Sequence, residues 1–491
     1  LANKKSNIIK ERQMTYIEKV KSILDNYNFC TYQRHITFNG INVANPSTYF
    51  WRLFTPEFYH ISDTNITFHD KELIDFLSNY EYKDEFNFKT CLERDKKFIL
   101  QMDLHPCVQS ETPFETIKTK LFDYILGKKD FIENMQSGKM TLFLYQGWEA
   151  ENYTISHWPK DKYKSFLHMV EDVIQEYKLS YNSIVIINSN VQLYEHKSKV
   201  NVIYDNAMEM NSFSRGISTY GSEYGIKIKD FDETLTIDDY LKSVKHNKKR
   251  LLRLSRTPHQ LRDKMLYYIY KLGLQDKSIV EHRYFDAKNI YGDNGFFGEA
   301  KQYCLKNNFK ELANLFEYGN IDKKLLSSIE KNIPLVASPY EKKQGYHKLH
   351  EHPNSPIPFD VYEKSSFTWI STSLPDQPDK IFLNQSTFNP ILHYHPVLWH
   401  GQKHTTKLFK DFGYKSYEWL FENETKADNT DSIVERFILN VQDIMNVMNM
   451  SDDELYNRIK DNKDTLQHNR DLLFECKSIE RIITKFYETT I

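Results

Sequence analysis

The chain has 491 residues, 40% hydrophobic and 27% charged, with 33 Tyr and 32 Phe; this excludes a disordered chain and implies more than one ordinary-sized core. Lys and Arg total 65 against 67 Asp and Glu, a net charge of −2, which excludes a general pull toward nucleic acid or anionic lipid and leaves only local anion sites. Five cysteines, Cys30, Cys91, Cys107, Cys304 and Cys476, lie far apart with no CxxC pair, so neither a disulfide framework nor a zinc site is expected, and a reducing, cytoplasmic compartment fits.

The charged segment Leu1–Met14 lacks the apolar core of a signal peptide, and no apolar run is long enough for a transmembrane segment. Gly supplies only 15 residues and no repeat or low-complexity tract occurs, so flexible linkers are scarce. Residues 1 to about 130 mix helical patterns, such as Met14–Tyr27 and Phe114–Met135, with short β-rich runs. Lys139–Tyr145 reads as a buried strand and Gln146–Glu151 as a turn. Lys160–Tyr177 has apolar residues at helical spacing, and Ser183–Asn188 is a second buried strand. Strand, helix, strand at this spacing predicts a βαβ unit in a parallel sheet, with ligands at the carboxyl ends of its strands.

A second such region opens near residue 247, with Arg250–Ser255 as strand, Arg256–His259 as turn and Gln260–Leu272 as a helix ended by Gly273. The loop Pro339–Pro358 is rich in His, Lys and Pro. Ser366–Ser371 and Pro396–Trp399 read as strands with a helix starting near Ser386 between them, and Ser432–Ile491 reads as helices with charged faces.

The sharpest local signal is Lys242–Lys264, where nine Lys and Arg meet one carboxylate, Asp263. Its centre is a strand, a turn and a helix N-terminus, which would set Arg256 and Arg262 beside free backbone N–H groups at the positive end of a helix dipole. That combination suits a pyrophosphate. A solvated charged face and a nucleic-acid patch without sequence specificity are the alternatives.

The same residues carry a resemblance. Arg253-Leu-Ser-Arg-Thr-Pro-His-Gln-Leu-Arg262, followed by Met265–Gly273, resembles the segment L-N-R-x-P-R-x-H-R plus Leu-rich helix of glycosyltransferases related to the fucosyltransferase and exostosin-like groups. Arg256 and Arg262 match the outer arginines, and His259 stands where an arginine is usual. Downstream, Ile381–Ile391 is similar to the donor-site motif F-I-T-E-K-T-F-K-P-I, Pro396-Val-Leu-Trp399 resembles P-F-I, and Lys407–Tyr417 resembles L-k-x-L-x-x-L-G-F-k-T-F. Ser137–Lys139 and Gln146–Glu149 resemble the strand and turn that open the family's N-terminal half, so the similarity runs from about 135 to 475. The chain departs from the pattern at Gln385 and Ser386, which replace a Glu-Lys pair, at Asn389, which replaces a Lys, and near Thr372, where a Glu is usual.

The resemblance implies an α/β fold of the GT-B type, two Rossmann-like domains facing a cleft with C-terminal helices across the interface. An acceptor-side domain would span 1–245, with its Rossmann-like core from about 139, a nucleotide-sugar donor domain 246–445, and a helical segment 446–491. The implied activity moves a sugar from a nucleotide-sugar co-substrate to an acceptor hydroxyl, on a glycan, without metal or other cofactor. Arg253, Arg256, Arg262, Asn384, Gln385, Thr387 and Phe388 are the implied donor-site residues, and Glu149, after a buried strand, is the candidate base.

Two alternatives stay open: transfer to a modified base in DNA, for which the Lys-rich strip Lys242–Arg250 could serve although the neutral total charge does not favour nucleic acid, and a non-catalytic nucleotide-sugar or glycan-binding scaffold. His393 and His395 would share one strand face within a segment that continues to His400 and His404, a ligand-like spacing, but no Cys or acid lies in the segment, and hydrogen-bonding histidines lining the donor cleft fit better than a metal. Asp230-Phe-Asp232 is a weak Asp-x-Asp metal signal, and Tyr267, Tyr268 and Tyr270 read as helix packing.

Overall fold

A computed structural model describes residues 14–30, 35–38, 41–44, 76, 88–103, 113–146, 161–188, 198–204, 236–247, 249–255, 259–335, 359–372, 381, 383, 385–475 and 477–491. The described strands form two sheets. The first holds β1 (Tyr27–Cys30), β2 (His35–Phe38), β3 (Ile41–Ala44), β4 (Lys97–Asp103), β5 (Met140–Gln146), β6 (Ile184–Asn188) and β7 (Asn201–Tyr204). β1, β4, β5, β6 and β7 run parallel, and the antiparallel hairpin β2–β3 meets the end of β4 where Ala44 pairs with Asp103.

The expected βαβ unit is present. Between β5 and β6 lies a helix, Phe166–Glu176, capped by the Ser165 side chain, which accepts a hydrogen bond from His168 N. Phe143, Val185 and Ile187 face one core, while Leu142, Leu144, Ile184 and Ile186 face another. Burial on both faces keeps Leu142–Leu144 and Ile184–Ile187 apolar without a break, and this is why these two strands are readable from sequence.

The second sheet holds β8 (Leu251–Ser255), β9 (Ser278–His282), β10 (Phe367–Ser371) and β11 (Val397–His400), all parallel, in the order β11-β10-β8-β9. From β8 the chain adds β9 on one side and then β10 and β11 on the other. The switch point of this half therefore lies between β8 and β10, where open parallel sheets hold ligands beyond their carboxyl ends. The helix α1 (Gln260–Lys271) follows β8 and ends at Gly273, whose φ of 67° needs glycine. Tyr267 and Tyr268 are fully buried in the core, as helix packing predicts.

Helices close the chain: α2 (Ile433–Asn449), α3 (Asp452–Asp461), α4 (Lys463–Glu475) and α5 (Lys477–Thr490). The last returns to the first sheet. Phe486 stands edge-on to Tyr27 and Phe143, each at 5.9 Å, and Tyr27 Oη donates to Thr490 O at 2.9 Å. One hydrophobic cluster thus joins a face of the first sheet to the core of the second.

One sequence expectation is corrected here. His393 and His395 do not share a strand face. They flank Tyr394, whose φ is 61°, in the turn after the helix Gln385–Leu392, and the backbone N–H groups of His393 and His395 both donate to Pro390 O. Strand β11 begins only at Val397.

Candidate anion-binding site

Alternation along β8 sets Leu251 on the main core face and Leu252 against Val361 and Tyr362 on the other. Arg253, two residues after Leu251, therefore projects on the main core side, where an apolar residue would be ordinary. Its side chain is fully buried. Nη1 donates to Leu254 O at 2.6 Å, while Nε and Nη2 meet no hydrogen-bond partner among the described residues. Burial, with the Arg262 guanidinium nearby, pushes the Arg253 guanidinium well below the ordinary arginine range, and Asp263 opposes that shift.

Arg262 lies in the first turn of α1 and is itself buried; Nη2 reaches Thr372 O at 3.4 Å. The helix begins at His259, whose Nδ1 accepts from Leu261 N at 3.2 Å. Asp263 does not serve the arginines directly. Its carboxylate takes His282 Nε2 at 2.8 Å, Asn289 Nδ2 at 2.5 Å and Asp286 N at 3.3 Å. His282 is held below the usual histidine range by burial, with Arg253 and Arg262 adding to the effect and the Asp263 bond opposing it.

Further unpaired polar atoms gather at the same end of the sheet. Ser255 Oγ at the end of β8, Thr372 Oγ1 just past β10 and His400 Nε2 at the end of β11 are all buried without a partner among the described residues. Buried polar atoms are almost always satisfied, so several orphans at the carboxyl ends of neighbouring strands mark a place built for something else. Gly401 is part of the construction: a Cβ there would stand 2.9 Å from Thr372 Cγ2 and 2.8 Å from Thr405 Oγ1, so only glycine lets these segments approach. Beside it, Gln402, Thr405, Asp428, Arg436 and Asn440 line a cavity of about 20 Å³, room for about one water.

The basic run divides by position. Arg250 is committed to the end of α2, donating to Val447, Met448 and Met450 carbonyls and pairing with Asp452. Lys264 is buried against Asp293 Oδ2 at 2.9 Å. Lys242 is exposed and paired with Asp239. Of the expected donor-site residues, Arg253 and Arg262 come together, and Thr387 and Phe388 are buried in the helix after β10, with Phe388 in the hydrophobic core. Arg256, Asn384 and Glu149 lie outside the described residues, as does Asp230-Phe-Asp232; Gln385 opens its helix, but its side chain is likewise outside.

His393 stacks on Tyr362 at 4.2 Å, and His395 contacts Thr368 Oγ1 at 3.0 Å and Tyr362 O at 2.8 Å. Among the described residues no three His, Cys, Asp or Glu come together as a metal site. Ser255 is not among the sequence-predicted residues, although its place as the last residue of a strand in a parallel sheet is the signal that finds it; Thr372 enters there only where a Glu is usual, and His400 only as one of the histidines expected to line the donor cleft. No family model, curated protein or solved structure matches the chain.

Proposed function

We propose that the chain is a nucleotide-sugar-dependent glycosyltransferase of the two-domain GT-B type, with the donor's diphosphate held at the switch point of the second sheet. The observation that carries this reading is Arg253, a fully buried guanidinium with two unpartnered nitrogens beside a second buried arginine, at the ligand-binding end of a parallel sheet. In sugar transfer the departing diphosphate gains negative charge, and preorganised guanidinium groups out of water stabilise that charge without reorganising. The acceptor would enter from the first sheet, where Glu149 follows β5 and is the proposed base.

The acceptor proposed is a glycan hydroxyl. The commitment of Arg250 and Lys264 within the protein leaves less of the basic run for a nucleic-acid duplex. The replacement of the Glu-Lys pair by Gln385 and Ser386 favours a second reading, a binding scaffold without turnover. No described helix is long and apolar enough to cross a membrane; a cytoplasmic setting belongs to this proposal.

The test is a thermal-shift screen with UDP, GDP, CMP and their sugars, on the wild type and on Arg253→Met. Selective stabilisation by one nucleotide diphosphate, absent in the variant, is the expected result. Equal stabilisation of both proteins removes the arginine assignment, and stabilisation without donor hydrolysis or transfer selects the scaffold.

A further inference from the structure

His400 closes β11 and is completely buried, with its ring edge-on to Phe437 at 5.2 Å. Its protonation is disfavoured first by burial and then by Arg436, His259 and Arg253, so these charged and titratable groups converge on it from α2, from the start of α1 and from β8. The proton's position on the ring follows from Asn440. Asn440 Nδ2 donates to Trp399 O at 2.7 Å, a bond that fixes which end of the amide carries the hydrogens. The same Nδ2 lies 3.5 Å from His400 Nδ1, a long contact that assigns Nδ1 as the acceptor nitrogen. That assignment puts the hydrogen of the neutral ring on Nε2, the buried atom that has no partner among the described residues.

We propose that His400 is a further ligand-binding residue of this site, donating Nε2–H to the phosphoryl group of the ligand farther from the backbone of β8. The inference rests on the anion-site reading above and adds the length of the ligand. β8 and β11 are separated by β10, so their backbones stand two strand spacings apart, about 9–10 Å. Arg253 and Ser255 project from one end of that span and His400 from the other, with Thr372 between them. A single phosphate is too short to satisfy donors from both ends, whereas a diphosphate reaches Arg253 with one phosphoryl and His400 with the other. A neutral N–H suits this role because it satisfies an oxygen without adding a third buried charge to the arginine pair.

The test uses the full chain with inorganic pyrophosphate and inorganic phosphate as probes, read by titration calorimetry near neutral pH. The wild type is expected to prefer pyrophosphate. His400→Leu should weaken pyrophosphate by roughly ten- to a hundredfold, the range for a hydrogen bond to a charged group, and leave phosphate nearly unchanged. His400→Gln, which keeps a side-chain N–H, should recover most of the loss.

Histidine ¹⁵N spectra provide a readout that packing alone does not move. The His400 resonances, assigned by their disappearance in His400→Gln, should report a protonated Nε2 that shifts when pyrophosphate is added. Wild-type pyrophosphate affinity in His400→Leu overturns the inference while the arginine reading stands, provided Arg253→Met still abolishes binding. An Nδ1-protonated ring in the wild type overturns it whether or not His400→Leu folds. Failure of the wild type to bind pyrophosphate overturns both readings.

Discussion

Arg253 places a full charge in the interior with only one of its three nitrogens bonded among the described residues. A buried charge without a counter-ion destabilises the folded state, and apolar replacements of buried ionic groups have been neutral or favourable by about 1–4 kcal/mol. Arg253→Met keeps the length of the side chain and removes the charge. The unliganded variant is expected to be more stable than the wild type by an amount in that range, read as a higher denaturation midpoint at unchanged slope. A less stable variant would mean that Arg253 is held for structure rather than for a ligand. Asp443 makes a different argument at the same scale. Burial pushes its carboxyl up to about 7, although bonds from Asn423 N and Nδ2 pull the other way. A carboxyl raised in the folded state stabilises it fully below the unfolded value near 4, and that contribution is lost as the pH rises through about 7. Asp443→Asn should therefore flatten the fall in stability between about pH 4 and pH 7. Parallel profiles for the two proteins would show that Asp443 does not titrate in that window.

At the scale of elements, the site is made by where strands stop. β8, β10 and β11 end at Ser255, Ser371 and His400, and Ser371 lies level with His400 in the parallel register. The side chains of these strand ends meet at one edge of the sheet, and the helix after β8 brings Arg262 to it in its first turn. The other decisive element is α5. Its apolar face covers β1 and β5 through Phe486, and Lys19 Nζ reaches Thr484 Oγ1 from the N-terminal helix Tyr16–Asn26. Phe486→Ala removes a fully buried ring and is expected to cost about 3–5 kcal/mol in chemical denaturation. Phe486→Leu, which refills most of the volume, should cost clearly less. A loss below about 1 kcal/mol for the alanine variant would make α5 a peripheral strap instead of part of the core.

At the scale of the whole molecule, the described residues build two parallel-sheet cores joined by one apolar cluster and tied by the return of the last helix. This is an α/β architecture that can offer a ligand crevice in each half, and the unpaired atoms of Arg253, Ser255, Thr372 and His400 cluster at strand ends of the second. The first sheet is the less legible half. β1, β4 and the hairpin β2–β3 fall in the stretch up to residue 130 that reads only as mixed patterns. β1 and β2 are four residues long and β1 follows directly on a helix, so neither length nor periodicity distinguishes them. β5 and β6 are legible because each is buried on both faces and apolar through its middle, β8 and β10 because short runs rich in Leu, Trp, Phe and Ile stand before a turn signal or a helical pattern, and α1 because Gly273 stops it.

The sequence by itself determined the alternation of strands and helices, the parallel sense of the βαβ unit, the helical tail and the concentration of positive charge around Arg253 and Arg262. These follow from local rules, the period of apolar residues and the chemistry of caps. Only the tertiary structure decided the order β11-β10-β8-β9, and with it which strand ends meet. It also decided that Arg250 and Lys264 are spent inside the protein while Arg253 is left with unpaired nitrogens, and that His400 joins the site while His393 and His395 pack around Tyr362. The physical reason is the same in each case: whether a polar atom finds a partner depends on residues on other elements, about 30 positions away for Lys264 and Asp293 and about 200 for Arg250 and Asp452, separations that no local pattern encodes.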